Sequence, residues 1–294
     1  MLYLIIGGNG FLGSYFINEL KSKKQKIIAT CRDFGKLRND EYVEWVNCDV
    51  NNQKNVDNLV LKMAEYDSYN IIYLAACHHP DFVEKHPSIA WETNIIALSI
   101  FLNKMKNVRC FFYPSTDTVY GEGSLDYAFK EEDKTNPVNL YGKHKVLAEN
   151  IVNTYGYNVV RFPFLIGPSL TYKKKHFFNT IKETIMSGQN IEMFEDSYRS
   201  TISFKQAADY SIELIEKYDE SIPKILNVAG DKALSKHEVG IMIAKKYGVN
   251  PSLIIPISIK NDKKIFDTPR ATTTLIDNSK LKKILNITNI ELEL

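Results

Sequence analysis

Hydrophobic residues in the first half of the chain fall into short apolar runs separated by longer amphipathic stretches. The runs of strand length are Leu2–Ile6, Gln25–Thr30, Val43–Asn47, Ile71–Ala76, Val108–Tyr113 and Asn158–Phe162. Apolar positions at helical spacing lie between them, over Leu12–Lys21, Val56–Tyr66, Ser88–Met105 and Leu140–Tyr155. This alternation predicts βαβ units and a parallel sheet that helices cover on both faces. Because crossovers between parallel strands are right-handed, the economical topology is a doubly wound α/β sheet.

The pattern changes after Pro163, where helices and shorter strands follow one another less regularly. Helices are predicted over Phe177–Ser187, Lys205–Lys217 and Lys236–Tyr247, and strands over Ile191–Phe194, Ile225–Val228 and Ile254–Ile257. We therefore expect residues 1–162 to form one domain and residues 163–294 to form a smaller C-terminal α/β lobe. No stretch rich in Pro, Gly or Ser separates them, so the two parts are expected to be interleaved.

Composition argues against several classes of function. The 294 residues carry a formal net charge of +2, so no overall field attracts nucleic acid or an anionic membrane. Apolar runs stay far below the ~20 residues that span a bilayer, and the N-terminus lacks the pattern of a signal peptide. The cysteines lie apart and without metal-binding spacing, at Cys31, Cys48, Cys77 and Cys110. These features predict a cytoplasmic protein without a metal site.

Glycines at positions 7, 10 and 13 directly follow the first predicted strand and open the first predicted helix. Glycine turns with positive φ and, lacking a side chain, lets the backbone approach a pyrophosphate. The N–H groups at the start of the following helix present the positive end of its dipole to those phosphates. This pattern predicts a Rossmann-type dinucleotide site. The residues expected against the cofactor are Gly7, Asn9, Gly10, Phe11, Leu12 and Gly13.

The end of the second predicted strand bears on the choice of cofactor. An acidic residue there would bind the ribose hydroxyls and repel a 2′-phosphate. The strand instead ends at Thr30 and Cys31 and is followed by Arg32, whose guanidinium suits a phosphate. Asp33 leaves a surface Arg–Asp pair as the alternative reading. We therefore expect NADPH as the cofactor, with NADH as the alternative.

Tyr141 and Lys145 are four residues apart in a predicted helix and therefore share one of its faces. A nearby ammonium favours the phenolate, so we expect the pKa of Tyr141 to move from ~10 towards neutrality. Such a tyrosine can exchange a proton with a carbonyl or alcohol while hydride moves to or from a nicotinamide. Lys145 would also bind the hydroxyls of the nicotinamide ribose.

Hydroxyl side chains follow the fifth predicted strand, at Ser115 and Thr116. The carboxyl ends of parallel strands face the ligand, and a hydroxyl there can stabilise charge on a reacting oxygen. The same residue types also suit a turn. Given Tyr141 and Lys145, we expect Thr116 to be catalytic and Ser115 to contact the substrate.

Taken together, the glycine turn, the strand-end hydroxyls and the Tyr–Lys pair resemble the extended short-chain dehydrogenases/reductases of the NAD-dependent epimerase/dehydratase superfamily. The resemblance covers nearly the whole chain. It implies that Ala75 and Ala76 line the cofactor, that Asp49 contacts its adenine and that Pro163 lies beside the nicotinamide. Asn94 matches the structural asparagine of that superfamily.

Within the superfamily, the chain is most similar to the dTDP-4-dehydrorhamnose reductases. The segment 115–119 resembles their Ser-Thr-Asp-x-Val motif, and Asn136 and Pro137 resemble their approach to Tyr-Gly-x-x-Lys. The glutamate of the sugar 4,6-dehydratases is replaced by Thr118, and the cysteine of the GDP-fucose synthases by Asp117. The resemblance implies an NADPH-dependent reduction of the C4 keto group of a 4-keto-6-deoxy nucleotide sugar, in deoxysugar or polysaccharide biosynthesis.

The second lobe is expected to hold the nucleotide sugar. Candidate substrate residues, besides the strand-end hydroxyls, are His78, His176, Arg199 and Arg270. The basic groups among them suit the nucleotide diphosphate. Two other functions stay open: a nucleotide-sugar 4-epimerase with a recycled NAD, and a non-catalytic NADP-binding regulatory subunit such as that of methionine adenosyltransferase. Helix faces of this fold also allow a homodimer.

Overall fold

The computed structural model describes residues 1–171, 175–260 and 266–294. Its strands, in chain order, are β1 (Leu2–Ile6), β2 (Lys26–Cys31), β3 (Val43–Asn47), β4 (Tyr69–Tyr73), β5 (Val108–Thr116), β6 (Ala128–Phe129), β7 (Asn158–Phe162), β8 (Leu165–Ile166), β9 (Ile191–Phe194), β10 (Tyr198–Arg199), β11 (Ile202–Ser203), β12 (Ile225–Asn227), β13 (Leu234–Ser235), β14 (Ile254–Ile257) and β15 (Thr273–Ile276). Its α-helices are α1 (Phe11–Ser22), α2 (Gln53–Met63), α3 (Pro80–Lys85), α4 (Pro87–Trp91), α5 (Ala97–Lys104), α6 (Leu140–Thr154), α7 (Phe177–Met186), α8 (Phe204–Glu216), α9 (Lys236–Lys246) and α10 (Ser279–Leu285).

A seven-stranded parallel sheet organises the fold. Its strand order is β12-β7-β5-β4-β1-β2-β3, and the order of strands along the chain reverses beside β1. The predicted Rossmann-type, doubly wound sheet is thereby confirmed. The seventh strand comes from beyond residue 162, since β12 pairs in parallel with residues 159–161 of β7. The chain thus returns to the first sheet after it has begun the second lobe.

Alternate residues of β1 point into two different helical layers. Tyr3 and Ile5 pack in one core with α1 and α8, whereas Leu4 and Ile6 pack in another with α2, α5 and α6. All four side chains are fully buried. Because burial of a large apolar side chain contributes about 1.5–3 kcal/mol, both layers stabilise the sheet. This two-sided burial is the physical reason for the unbroken apolar runs in the sequence.

The second lobe has a core of its own between α7, α9 and the β9–β14 pair. Phe178, Ile181, Met193, Ile243 and Ile254 are buried there. A four-stranded sheet of order β13-β10-β15-β6 joins this lobe to β6, which follows β5 in the chain. Among the described residues, no helix combines the length and apolar character needed to cross a bilayer.

The predicted helix Ser88–Met105 is interrupted in the structure. Helix α4 passes into a π-helical turn at Glu92–Ile96 before α5 begins. Asn94 in this turn accepts from the Cys77 N–H at 2.8 Å and donates to the Cys77 carbonyl at 3.0 Å. Turns of this type often mark functional sites. Here the turn holds the segment after β4 against the helical layer.

Candidate active site

A cavity of about 510 Å³ opens where β1, β4, β5 and β7 end. Ligands of this architecture bind at that edge, beyond the carboxyl ends of the parallel strands. The predicted site residues that line the cavity are Gly7, Gly10, Phe11, Leu12, Gly13, Ala76, His78, Ser115, Thr116, Tyr141, Lys145, Pro163, His176, Arg199 and Arg270. The predicted residues outside its lining are Asn9, Arg32, Asp49 and Ala75.

The glycine turn follows β1 and forms one wall of the cavity. Gly7 has a φ of 81°, and its N–H donates to Thr30 Oγ1 at 3.0 Å. A Cβ on Gly13 would lie 2.7 Å from the Gly8 carbonyl oxygen and 2.8 Å from that of Gly7. No side chain in the described part of the chain caps the start of α1. The turn therefore forms a cradle whose helix N-terminus can receive phosphate oxygens, which fits a dinucleotide.

The residues predicted for the adenosine half of the cofactor lie at the ends of neighbouring strands. Arg32 directly follows β2, and its side chain is exposed. Asp49 comes two residues after β3, and its Oδ1 accepts from the Asn51 N–H at 3.0 Å. Ala75 lies against the glycine turn, with its backbone nitrogen 3.3 Å from where a Cβ on Gly7 would be. These residues thus lie at the same edge of the sheet as the turn.

Tyr141 and Lys145 lie on the same helix, α6, and both line the cavity. The helix begins here because Asn139 caps it, accepting from the Gly142 N–H at 2.9 Å. Gly142 also allows a close approach, since a Cβ there would lie 2.7 Å from the Cβ of Pro137. The cap places Tyr141 in the first turn of the helix and Lys145 one turn further on.

The Lys145 ammonium is held from the side of β5. Its Nζ donates to the Tyr113 hydroxyl at 3.1 Å and to the Pro114 carbonyl at 2.8 Å. Burial lowers the pKa of Lys145 to about 8, and the Glu149 carboxylate opposes that fall. Lys145 is therefore predominantly charged at neutral pH and close to its titration.

The Tyr141 hydroxyl has a higher pKa than a free tyrosine, because it is buried and because the Asp117 carboxylate is near. This direction is opposite to the shift expected from Lys145, whose ammonium is hydrogen-bonded to Tyr113 and Pro114. A raised pKa keeps the phenol protonated at neutral pH. That is the state in which a tyrosine donates a proton.

Thr116 and Asp117 follow one another where β5 ends. Thr116 Oγ1 donates to Asp117 Oδ1 at 3.1 Å and accepts from the Thr118 N–H at 3.3 Å. Burial raises the pKa of the Asp117 carboxyl, although Arg199, whose Nε lies 3.2 Å from Asp117 Oδ2, acts to lower it. The predicted catalytic threonine is thus tied to a buried acid that the sequence had not marked as functional.

Arg199 lies in the cavity wall with most of its N–H groups already bonded. Nη1 donates to the Tyr198 and Thr272 carbonyls at 2.7 and 2.9 Å, and Nη2 donates to the Ala271 carbonyl at 2.7 Å. Its guanidinium therefore joins β10 to the segment before β15. Its charge reaches the cavity, but few of its donors are left for a ligand.

Arg270 binds an acidic side chain of the protein and also lines the cavity. Its Nη2 donates to Asp81 Oδ2 at 2.9 Å, and its guanidinium carbon lies 4.6 Å from the centre of the Phe266 ring. The buried Nε has no hydrogen-bond partner among residues 1–171, 175–260 and 266–294. One donor of this predicted substrate residue is therefore unsatisfied in the protein alone.

Lys236, the first residue of α9, lines the cavity and was not predicted from the sequence. Its Nζ lies 5.7 Å from the centres of three rings, those of Phe164, Phe194 and Phe266. Burial, reinforced by the charges of Arg199 and Arg270, lowers the pKa of Lys236 to about 8. The three rings come from separate parts of the chain, so no local pattern could have found this site.

The two predicted histidines occupy different surroundings. His78 is exposed at the cavity edge. The ring centre of His176 lies 5.0 Å from that of Phe11 and 4.8 Å from that of Phe204. Burial lowers the pKa of His176 to about 4. At neutral pH, His176 therefore presents an uncharged ring beside the glycine turn.

The parallel sheet, the glycine turn and the Tyr–Lys pair on one helix define an extended short-chain dehydrogenase/reductase, a class that uses nicotinamide dinucleotides. A family model described as the RmlD substrate binding domain matches residues 1–293. The chain belongs to this family, which confirms the resemblance found in its motifs.

Individual relatives carry different descriptions. The chain is 28% identical over 288 residues to methionine adenosyltransferase 2 subunit beta from Xenopus tropicalis, covering 96% of this chain and 81% of that one. A solved dTDP-4-dehydrorhamnose reductase from Bacillus anthracis, in complex with NADP, is similar with a TM-score of 0.79 at 19% identity, over 99% of this chain and 94% of that one. The UDP-glucuronic acid 4-epimerase from Bacillus cereus, in complex with UDP-glucuronic acid and NAD, has a TM-score of 0.80 at 18% identity. This similarity covers 99% of this chain and 95% of that one. At these identities, the two structures establish the shared fold.

Proposed function

We propose that the protein uses NADPH to reduce the C4 keto group of a 4-keto-6-deoxy nucleotide sugar, for deoxysugar or polysaccharide biosynthesis. The observation that carries this proposal is that Thr116, Tyr141 and Lys145 line the same cavity as the glycine turn. A dinucleotide site and a proton donor therefore meet in one place, where a carbonyl can be held between them.

Each of the three proposed catalytic residues has its own role in the reaction. A bound nicotinamide would supply a hydride to the C4 carbon. Tyr141 would donate its phenolic proton to the C4 oxygen, so that the keto group becomes an alcohol, and its raised pKa keeps that proton in place at neutral pH until the transfer. Thr116 would turn its hydroxyl hydrogen from Asp117 Oδ1 to the same oxygen while charge develops on it. The ammonium of Lys145 would favour the phenolate that remains on Tyr141.

The nucleotide diphosphate is proposed to lie against the basic side of the cavity. Lys236 contacts aromatic rings and forms no ion pair within the part of the chain that the structure describes. Arg270 carries the unpaired Nε, and Arg199 adds a third positive charge nearby. An anion bound here would supply the missing hydrogen-bond acceptor and would raise the pKa of Lys236 again.

The choice of NADPH over NADH rests on Arg32. Its exposed side chain follows β2, where it can reach a 2′-phosphate. The reductase from Bacillus anthracis is in complex with NADP, whereas the epimerase from Bacillus cereus is in complex with NAD. Michaelis constants measured for both cofactors test the assignment, and a strong preference for NADH would contradict it.

The reductase proposal is tested by following NADPH absorbance with a panel of dTDP-, UDP- and GDP-linked 4-keto-6-deoxy sugars, with NMR to assign the products. We expect Tyr141→Phe to lower turnover roughly 10²- to 10⁴-fold while NADPH still binds. Tyr155→Phe is the matched control, because Tyr155 is exposed at the end of the same helix. Turnover that survives in Tyr141→Phe would contradict the proton-donor role. No NADPH oxidation with any sugar of the panel would contradict the reductase.

A second candidate is favoured by the relationship to methionine adenosyltransferase 2 subunit beta. In that case the protein would bind NADP and serve another enzyme as a regulatory subunit. Failure to oxidise NADPH, together with a stable complex with a second enzyme, would favour it. A nucleotide-sugar 4-epimerase would instead purify with bound NAD and turn over without added cofactor. The presence of Thr116, Tyr141 and Lys145 in one cavity argues against the non-catalytic subunit, whereas an epimerase would use the same residues.

We further propose that residues 1–162 bind the dinucleotide, that residues 163–294 form the substrate lobe and that the protein is a cytoplasmic homodimer. Disulfides do not join the four cysteines within the residues that the structure describes, which agrees with a reducing compartment. Light scattering on the purified protein tests the dimer, and a monomeric mass would contradict it.

A further inference from the structure

A buried carboxylate lies directly behind the proposed reaction site. Glu149 is on α6, one turn after Lys145 and two turns after Tyr141, and its side chain is only 3% exposed. It accepts from the Ser115 hydroxyl at 2.5 Å, from Arg161 Nε at 2.9 Å and from Arg161 Nη2 at 2.6 Å. None of the steps proposed above uses this group.

The Glu149 carboxylate, on α6, links this helix to β5 and β7. Ser115 and Arg161 are direct partners in the register of β5 and β7, so Glu149 on α6 spans a pair of neighbouring strands. On either side of Ser115 are Pro114, whose carbonyl accepts from Lys145, and Thr116. The position of Thr116 relative to the helix that bears Tyr141 is therefore set through this buried pair.

Glu149 is also the acid that acts on Lys145. The groups facing the Lys145 ammonium are the Tyr113 hydroxyl and Pro114 carbonyl of β5, and Glu149 on its own helix. Tyr113 has a pKa well above its ordinary value because it is buried, so it stays neutral. Glu149 therefore supplies the negative charge that acts against the burial of the ammonium.

The hydroxyl of Ser115, which is a predicted substrate contact and lines the cavity, is already bonded within the protein. Its hydroxyl hydrogen is donated to Glu149, so only its lone pairs are left for a ligand. A hydroxyl in this state cannot donate to a substrate carbonyl. Thr116 also donates its hydroxyl hydrogen within the protein, to Asp117 Oδ1 at the longer distance of 3.1 Å. Tyr141 is therefore the donor at the reacting oxygen, and Thr116 joins it only by exchanging Asp117 for the substrate.

We propose that Glu149 is a positioning residue for the reduction: it fixes Ser115 and the spacing of β5 and α6, and it is the counter-charge of Lys145. This inference deepens the proposed function and rests on it. A purely structural ion pair would stabilise the chain without affecting Lys145, so the charge state of Lys145 separates the two roles.

The test uses the full chain with Glu149→Met and Arg161→Met combined, because removing both charges avoids leaving one buried and unpaired. Glu149→Gln is prepared beside it, and either variant is used once its circular dichroism matches the wild type. The control is Glu131→Gln, another buried acid, which bonds the Asn227 N–H and contacts neither Ser115 nor Lys145. The first readout is the ¹³C NMR titration of the Lys145 ε-carbon in cofactor-free protein, assigned with Lys145→Arg.

We expect the Lys145 midpoint to fall by about one pH unit in Glu149→Gln and to stay in place in Glu131→Gln. In the double variant the fall should be smaller, because the loss of the Arg161 charge acts in the opposite direction. The kcat should fall roughly 10- to 100-fold with KM nearly unchanged, because reacting groups are displaced while substrate contacts remain. A Lys145 midpoint that does not move overturns the inference. This measurement needs no substrate, so it decides the matter even if no nucleotide sugar is reduced.

The positioning of Ser115 has a test of its own in Ser115→Ala, which keeps the Glu149–Arg161 pair. We expect kcat to fall roughly tenfold without a shift of the Lys145 midpoint. An unchanged kcat in this variant, beside an active wild type, overturns the positioning role.

Discussion

Gly13→Ala and Gly10→Ala should separate two requirements of the glycine turn, its own packing and its approach to the cofactor. A Cβ on Gly13 would meet three backbone atoms at 2.7, 2.8 and 2.9 Å, all closer than the 3.4 Å of ordinary contact. Backbone cannot move aside as a flexible side chain can, so the overpacking costs about 1–3 kcal/mol. Alanine recovers up to about 1 kcal/mol of helix propensity at this position in α1. With about 2 kcal/mol for the overpacking and about 1 kcal/mol for the propensity, the net loss in the free energy of unfolding is about 1 kcal/mol.

The space around Gly10 is open, in contrast to the crowded backbone around Gly13. Of the atoms that the structure describes, a Cβ there would meet only the Gly7 carbonyl oxygen, at 3.4 Å, and Gly10 lines the cavity. Its φ of −79° is one that alanine adopts without strain. Gly10→Ala should therefore unfold at the wild-type urea concentration, yet bind NADPH at least tenfold more weakly, which corresponds to about 1.4 kcal/mol.

Urea denaturation and NADPH fluorescence titrations on both variants check these expectations. Gly13→Ala should lose stability and affinity together, and Gly10→Ala affinity alone. Wild-type stability in Gly13→Ala would refute the packing argument. Wild-type NADPH affinity in Gly10→Ala would show that the cofactor does not approach the turn.

Three further predictions follow from the electrostatics of the site. The kcat should fall as the pH rises through about 8, because Lys145 then loses its proton, and Lys145→Arg should move this limb to higher pH; a pH–rate profile measures both. The folded state holds His176 with a pKa of about 4, against ~6.5 in the unfolded chain, so the unfolded state binds the proton more tightly. The stability that neutral His176 contributes is complete above pH ~6.5 and is lost as the pH falls towards about 4. Between these pH values, the free energy of unfolding measured with urea should therefore fall more in the wild type than in His176→Gln. Arg32→Glu should raise KM for NADPH roughly tenfold and leave KM for NADH nearly unchanged, with Asp33→Asn as the control; an equal effect on both cofactors would contradict a 2′-phosphate contact.

The fold was predictable because its determinants are local. Buried parallel strands give continuous apolar runs, and amphipathic helices give a regular period, so each element of the main sheet could be read from adjacent residues. The interrupted helix is an exception, since the π-helical turn at Glu92–Ile96 depends on Asn94 reaching Cys77 in another segment. The return of β12 to the first sheet was likewise not predictable, because pairing between distant strands leaves no mark on local periodicity.

The residues of the proposed site also differ in whether local sequence or contacts between distant segments determine their surroundings. Tyr141 and Lys145 share one helix face, and Thr116 ends a strand, so spacing alone pointed to them. Glu149 is four residues beyond Lys145, yet its importance depends on Arg161 from another strand. The environment of Lys236 requires rings from three distant segments, and such tertiary clusters are visible only in the folded chain.

The return of β12 also determines which pieces of the chain can exist alone. Between β5 and β12, β7 is an interior strand with partners on both sides. A chain ending at residue 162 would leave the outer backbone groups of β7 unpaired and remove Leu226, which is buried beside it. Exposed apolar edge strands are templates for pairing between molecules. The sheet formed by residues 1–162 is therefore protected from pairing between molecules by a strand that the chain supplies after residue 162.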